Sequence, residues 1–302
     1  MSGHANSLKA VLLALGANFA IFVSKLVAAV ITDSGAMLAE AIHSLADCGN
    51  QGLLLLGMRQ ARRPPSDEYP LGWGRALYFW SFLVALLLFS VGGMFSIYEG
   101  VHKLGHPEPL KWPWLALGVL AFGLVAESFS MHGCLREVAK ARGGRSLWCW
   151  FRETRSSELL VIFGEDFAAL VGLSLATLAV GATMLTGKLL FDALGSIAIG
   201  VLLVMVALAV AVEVKALLIG QGIEPARRAE LLAFLKARPE IAEVLNLITV
   251  QMGPDAMVAV KARMAPVASD RALVEAINAV ERAMKAAFGE VRWSFFEPDV
   301  AD

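Results

Sequence analysis

Six stretches of about 20 or more predominantly apolar residues dominate this chain, at about 8–31, 36–58, 77–101, 112–134, 159–185 and 190–218. A helix rises ~1.5 Å per residue, so each is long enough to cross ~30 Å of hydrocarbon. Backbone polar groups cannot be left bare in lipid, which confines such a chain to a bundle of spanning helices. Composition agrees: 57% of the 302 residues are hydrophobic, too many for a soluble domain. The net charge of −1 offers no basic face and excludes nucleic acid as an expected partner. Cys48, Cys134 and Cys149 have no paired spacing and suggest no disulfide framework. The opening MSGHANSLKA has no targeting pattern, so the first apolar run reads as a retained helix.

Lys and Arg are distributed unevenly between the two sides. One side receives Lys9, Arg59, Arg62, Arg63, Arg75, Arg136, Lys140, Arg142, Arg145, Arg152 and Arg155; the other receives Lys103, Lys111 and Lys188. The basic side is expected to be cytoplasmic, with both termini on it. The setting this suggests is a bacterial cytoplasmic membrane. After Gly220 the pattern changes to a helix at 224–236, strands at 244–252 and 257–264, an amphipathic helix at 268–288 and a strand at 290–297. Leu273, Ile277, Val280 and Met284 form the apolar stripe of that second helix. This order predicts a small α+β domain of the ferredoxin-like type. The expected division is 1–220 for six membrane helices and 221–302 for a cytosolic α-β-β-α-β domain.

Ionisable residues inside the spans carry the chemistry. In the second span, AEAIHSLADCGNQ at 39–51, Glu40, His43 and Asp47 sit at i, i+3 and i+7 and share one helix face. In the fifth, VIFGEDFAALVG at 161–172, Glu165 and Asp166 are embedded in an apolar run. Charged groups at membrane depth are costly and mark ion or substrate pathways. Imidazole nitrogen and carboxylate oxygen suit Zn²⁺, and also Mn²⁺, Fe²⁺ or Co²⁺. His43 and Asp47 can supply two ligands and Asp166 a third, with Glu165 or water as the fourth. These groups must lose protons to bind metal, which gives a physical basis for metal/proton exchange. Glu40 reads as a structural hydrogen-bonding residue. Glu99, Glu127, Asp192, Glu213 and Lys215 read as structural groups near helix ends or pairing with each other. Lys25 neutralises an inward carboxylate or snorkels. His102, His106 and His132 read as isolated and not as ligands. Gly92, Gly93, Gly195, Ser196 and Gly200 read as close helix contacts.

With these residues in place, the chain resembles the cation diffusion facilitator family of six-span zinc exporters. The resemblance rests on LAEAIHSLADCGNQ, YPLGWGRALYFWSFLVALLLFS, FDALGSIAIG and the α-β-β-α-β tail, and covers nearly the whole chain. SLWCWFRETRSSEL followed by FGEDFAALVG is most similar to the subgroup around zinc transporter nine. The resemblance implies a polytopic α-helical membrane protein with six transmembrane helices and a metallochaperone-like cytosolic domain. It also implies a homodimer, proton-driven export and alternating access. The metal is cargo, and no resident cofactor is expected. The family's site pairs two residues on the second span with His-x-x-x-Asp on the fifth. His43 and Asp47 match the first pair and Asp166 the last position, but Ile162 occupies the place of the histidine. Glu165 is the nearest replacement. The tail's oxygen donors Asp255, Glu290, Glu297 and Asp299, with no histidine beyond His132, predict a dimerisation module with weak or absent zinc sensing. Two other classes remain: a non-transporting membrane scaffold, and an intramembrane metalloenzyme. The enzyme reading lacks a His-Glu-x-x-His pattern and a nucleophile paired with a base.

Overall fold

The computed structural model describes residues 2–32, 35–106 and 112–301, with the side chains of 2–7, 29, 32, 35–43 and 46 outside the described set. The elements are α1 (Ser2–Thr32), α2 (Gly35–Ala61), α3 (Ala76–Leu87), a π-helical segment (Leu88–Met94), α4 (Phe95–Gly105), α5 (Pro113–Arg142), α6 (Leu147–Glu153), α7 (Ser157–Thr186) and α8 (Leu190–Ile219). Then follow α9 (Pro225–Lys236), β1 (Ile241–Met252), β2 (Asp255–Met264), α10 (Asp270–Ala287) and β3 (Val291–Pro298).

Among the described residues, five helical segments are long and apolar enough to cross a membrane: 8–28, 76–105, 113–142, 157–186 and 190–219. The sixth expected span is α2, a 27-residue helix packed between α1 and α3. Large apolar side chains point outward along the bundle, among them Val30, Phe129, Leu185 and Ile219. In water these would be a liability; against lipid tails they are the expected surface. Inside, where lipid gives no hydrophobic drive, close backbone approach does the packing. A methyl group added at Gly93 would lie 2.7 Å from the Val204 side chain, and one at Gly200 would lie 2.7 Å from the Gly93 carbonyl oxygen. That contact binds the π segment to α8.

Two expectations about the connections change. The loop expected from residue 135 is helical as far as Arg142. The run LREVAKAR is built of helix formers, and Lys140 bonds Glu137 at 2.6 Å, so the helix outlasts the apolar stretch. A second helix, α6, follows it, capped by the Ser146 hydroxyl accepting from the Cys149 N–H at 3.2 Å. It is anchored by Trp150, which is fully buried. The third span is a single run from Ala76 to Gly105 with the π segment inside it.

The C-terminal domain has the predicted α-β-β-α-β order. Its sheet runs β1-β2-β3, with β1 antiparallel and β3 parallel to β2. The parallel pair requires a crossover, and α10 supplies it, laying Val280 and Met284 on the sheet. The domain docks on the membrane helices through the β1–β2 turn. The Gly253 N–H donates to the Tyr78 hydroxyl at 2.8 Å, and Arg75 Nε reaches Met252 Sδ at 3.2 Å. A methyl group at Gly74 would lie 2.1 Å from the Met252 carbonyl oxygen. Arg155 Nε donates to the Gly222 carbonyl at 2.6 Å, and Arg145 pairs with Glu224 at 2.9 Å.

Candidate metal centre

α1 and α3 each pack against both α2 and α7, so α2 and α7 meet through side chains in the space between. Asp47, Asn50 and Gln51 lie on one face of α2, at i, i+3 and i+4. Gln51 is buried. Its amide nitrogen donates to Glu165 Oε2 at 2.9 Å, and its amide oxygen accepts from the Asn18 amide at 3.2 Å. Asn50 also bonds Glu165. One carboxylate on α7 is thereby tied to α2 and, through Gln51, to α1. Its neighbour Asp166 is buried and accepts from the Ser130 hydroxyl of α5 at 3.1 Å at each oxygen.

Glu127 lies one turn before Ser130 on α5 and is 4% exposed. It interacts electrostatically with Asp166, Asp47 and Lys25. Glu165 interacts in the same way with Asp47, Asp166 and Glu127. Four carboxylates from α2, α5 and α7 therefore share one field. The bonds that position Glu165 and Asp166 come from neutral amides and a hydroxyl. Asp47 also lines a cavity of about 250 Å³ with Asn50, Leu53 and, from the third span, Leu88, Val91 and Gly92. A π segment carries one more residue per turn of helix than its neighbours and is frequent at functional sites. Here it forms one wall of that cavity.

The expected ligands are placed as follows. Asp47, Glu165 and Asp166 fall in one electrostatic neighbourhood. His43 lies on α2 with its side chain outside the described residues, as does that of Glu40. Among the described residues, no three His, Cys, Asp or Glu side chains converge on a point where they could hold one ion. Ile162 is fully buried in the apolar core with Leu159, Leu160 and Trp150, so its position contributes packing. Glu165, three residues on, is its polar neighbour on the helix.

Sequence reasoning set Glu127 aside as structural, and it did not single out Asn50, Gln51 or Ser130. The available signal was spacing. Gln51 follows Asp47 by four residues, and Glu127 and Ser130 are three apart in an apolar run. Asn18 points into the bundle, toward Gln51. Three of the groups read as structural pair with cations outside that set: Lys103 bridges Glu99 and Asp192 at 3.1 Å each, and Arg152 meets Glu213 at 3.1 Å.

A profile of the cation efflux transmembrane domain matches residues 11–219. The chain belongs to the cation efflux family. Relatives within it include "Proton-coupled zinc antiporter SLC30A9, mitochondrial" of Xenopus laevis, 34% identical over 247 residues, covering 81% of this chain and 44% of the relative. The protein of the same name in Homo sapiens is 33% identical over 232 residues, covering 76% and 41%. "Metal tolerance protein C4" of Arabidopsis thaliana is 29% identical over 251 residues, covering 82% and 55%. The chain spans about half the length of these relatives. As a cation efflux protein it is a multi-pass membrane protein.

Proposed function

We propose that this chain exports a divalent transition-metal cation, zinc first, from the cytoplasm in exchange for protons. The path runs through a site shared by α2 and α7, with His43, Asp47, Glu165 and Asp166 as the metal ligands. The observation that carries this reading is the pair of adjacent carboxylates inside an apolar span, Glu165 and Asp166, held by Gln51 and Ser130. Donors of this kind fix the oxygens in space without neutralising them. A cation supplies the missing charge. Nitrogen and oxygen donors without thiolate hold zinc firmly enough to select it and loosely enough to release it. The same carboxylates take up protons when the metal leaves, so metal and protons compete for one place. Zinc is named first because relatives at 33–34% identity bear the name of a proton-coupled zinc antiporter.

Residues 1–220 form the transport unit on this reading. Residues 221–302 lie in the cytosol and join two copies as a homodimer in a cytoplasmic membrane. The basic rim at Arg59, Arg62, Arg63, Arg75, Arg142 and Arg145 supports that orientation. Weak zinc sensing in the tail is supported by its donors being engaged: Asp255 with Arg292 at 3.0 Å, Asp299 with Lys261 at 3.1 Å and Glu290 with Arg227 at 2.5 Å.

One observation favours a second reading, a membrane scaffold that binds no cargo. Ile162 stands where a histidine is expected and is sealed in the core. Proteoliposomes with an internal zinc-sensitive dye and an imposed proton gradient separate the two. Zinc flux that is lost in Asp47→Ala, Glu165→Ala and Asp166→Ala supports the shared site. Loss in the two aspartate variants with flux kept in Glu165→Ala replaces Glu165 by water as fourth ligand. No wild-type flux of zinc, manganese, iron or cobalt supports the scaffold.

A further inference from the structure

We propose that His102 and His106 form a second divalent-metal site, separate from the carboxylate site, at the end of α4. The two residues are one helical turn apart. Their rings stack with centroids 4.8 Å apart and planes 19° apart, and Tyr98 stacks beneath His102 at 6.2 Å; a shared ion lies in the plane of both rings, so binding turns these exposed rings out of the stack. Both histidines are exposed, so an ion in solution reaches them directly. Two histidines at i and i+4 are the spacing by which one helix face presents two imidazole nitrogens to one zinc ion. Each nitrogen would lie ~2.0–2.1 Å from the metal. Water completes the coordination, which makes the site exchangeable.

The local charge suits a cation. Lys103 sits between the histidines in sequence and would repel one, but it is held at 3.1 Å by both Glu99 and Asp192. Two carboxylates and one ammonium leave one net negative charge beside the two imidazoles. Glu99, one turn below His102, draws a cation toward the pair while its carboxylate stays on Lys103.

Position gives the site a use. The third span begins beside Gly74 and Tyr78, where the C-terminal domain docks, and runs 30 residues to Gly105. At ~1.5 Å per residue the histidines lie ~45 Å from that docking point, on the opposite face of the bundle. On the export reading this is the exit face, and the pair takes up metal leaving the carboxylate site. That role rests on the export reading; the binding itself does not.

The test uses the full chain in lipid nanodiscs carrying Asp166→Asn, which disables the carboxylate site. Calorimetric titration with Zn²⁺ is expected to show one equivalent per chain, lost when His102→Ala and His106→Ala are added. Cu²⁺ added at one equivalent is expected to give an electron paramagnetic resonance spectrum with two imidazole nitrogens, falling to one in either single variant. An unchanged zinc equivalent in the double variant, or a copper spectrum without paired nitrogens, overturns the site. If wild-type proteoliposomes carry no zinc, manganese, iron or cobalt while the histidine-dependent equivalent persists, the export reading falls and the site stands.

Discussion

The C-terminal domain and the interior of the helix bundle treat carboxylates in opposite ways. In the domain they meet cations: Glu290 with Arg227, Asp255 with Arg292, Asp299 with Lys261, Glu240 with Arg238, and Glu243 with Arg263. In the bundle the bonds that position Glu165 and Asp166 come from Gln51, Asn50 and Ser130. An ion pair closes a charge; it leaves nothing for a ligand to satisfy. A neutral donor fixes a carboxylate at far smaller electrostatic gain and keeps its charge available. The costlier arrangement stands where charge is dearest, at membrane depth. That arrangement is what the proposed cargo site requires.

Four substitutions sharpen this comparison. The largest effect is expected from Asp166→Asn, which keeps shape and the Ser130 contact but removes the charge. Zinc flux in proteoliposomes should fall at least ~100-fold, equivalent to about 2.7 kcal/mol, with the protein still folded. Asp255→Asn, the same change in the C-terminal domain, should alter flux by less than about twofold, since an exposed ion pair is worth ~0–1 kcal/mol.

Tyr78→Phe acts where the two regions join. It removes the acceptor of the Gly253 N–H. Leaving a buried donor unpaired costs ~1–3 kcal/mol. Hydrogen exchange of the amides of the β1–β2 turn is expected to speed up about 10-fold, with the strand centres unchanged. No change there would mean that the docking rests on Gly74 and the arginines alone.

The smallest effect belongs to Glu290→Gln. Burial pushes the Glu290 carboxyl up, but the Arg227 guanidinium bonded to it holds it below its ordinary value. A carboxyl lowered by folding stabilises fully above its unfolded value, ~4.3, and that contribution is lost as pH falls below it. The pair is partly exposed, so the variant should lose at most ~1 kcal/mol at pH 7. Calorimetric melting should show the wild-type advantage vanish below about pH 4.

Much of this architecture is legible in the chain because lipid enforces one rule, a long apolar run per span. The helix ends fall within a few residues of the apolar limits at α7 and α8. Legibility fails where helix and hydropathy part company. α5 continues through LREVAKAR because helix propensity does not end with the membrane, and α6 is a seven-residue helix inside a polar loop. The π segment is invisible because Leu88–Met94 continues the apolar run of its span without a break in pattern. In the site, Asp47, Glu165 and Asp166 stand out as charges in apolar runs. Gln51 and Ser130 do not, since a neutral polar residue in a span carries little cost. His102 and His106 read as isolated although their i, i+4 spacing is legible, and the structure stacks the two rings instead.

The most direct test is to locate the metal. Zinc-edge anomalous difference density from crystals grown with one equivalent of zinc should give a peak between α2 and α7. Its nearest carboxylate oxygen should belong to Asp166, at ~2.0–2.2 Å, the usual zinc–carboxylate distance. The peak should be absent in Asp166→Asn. A zinc peak there that persists in Asp166→Asn, or a bundle with no peak at this depth, would contradict the carboxylate site.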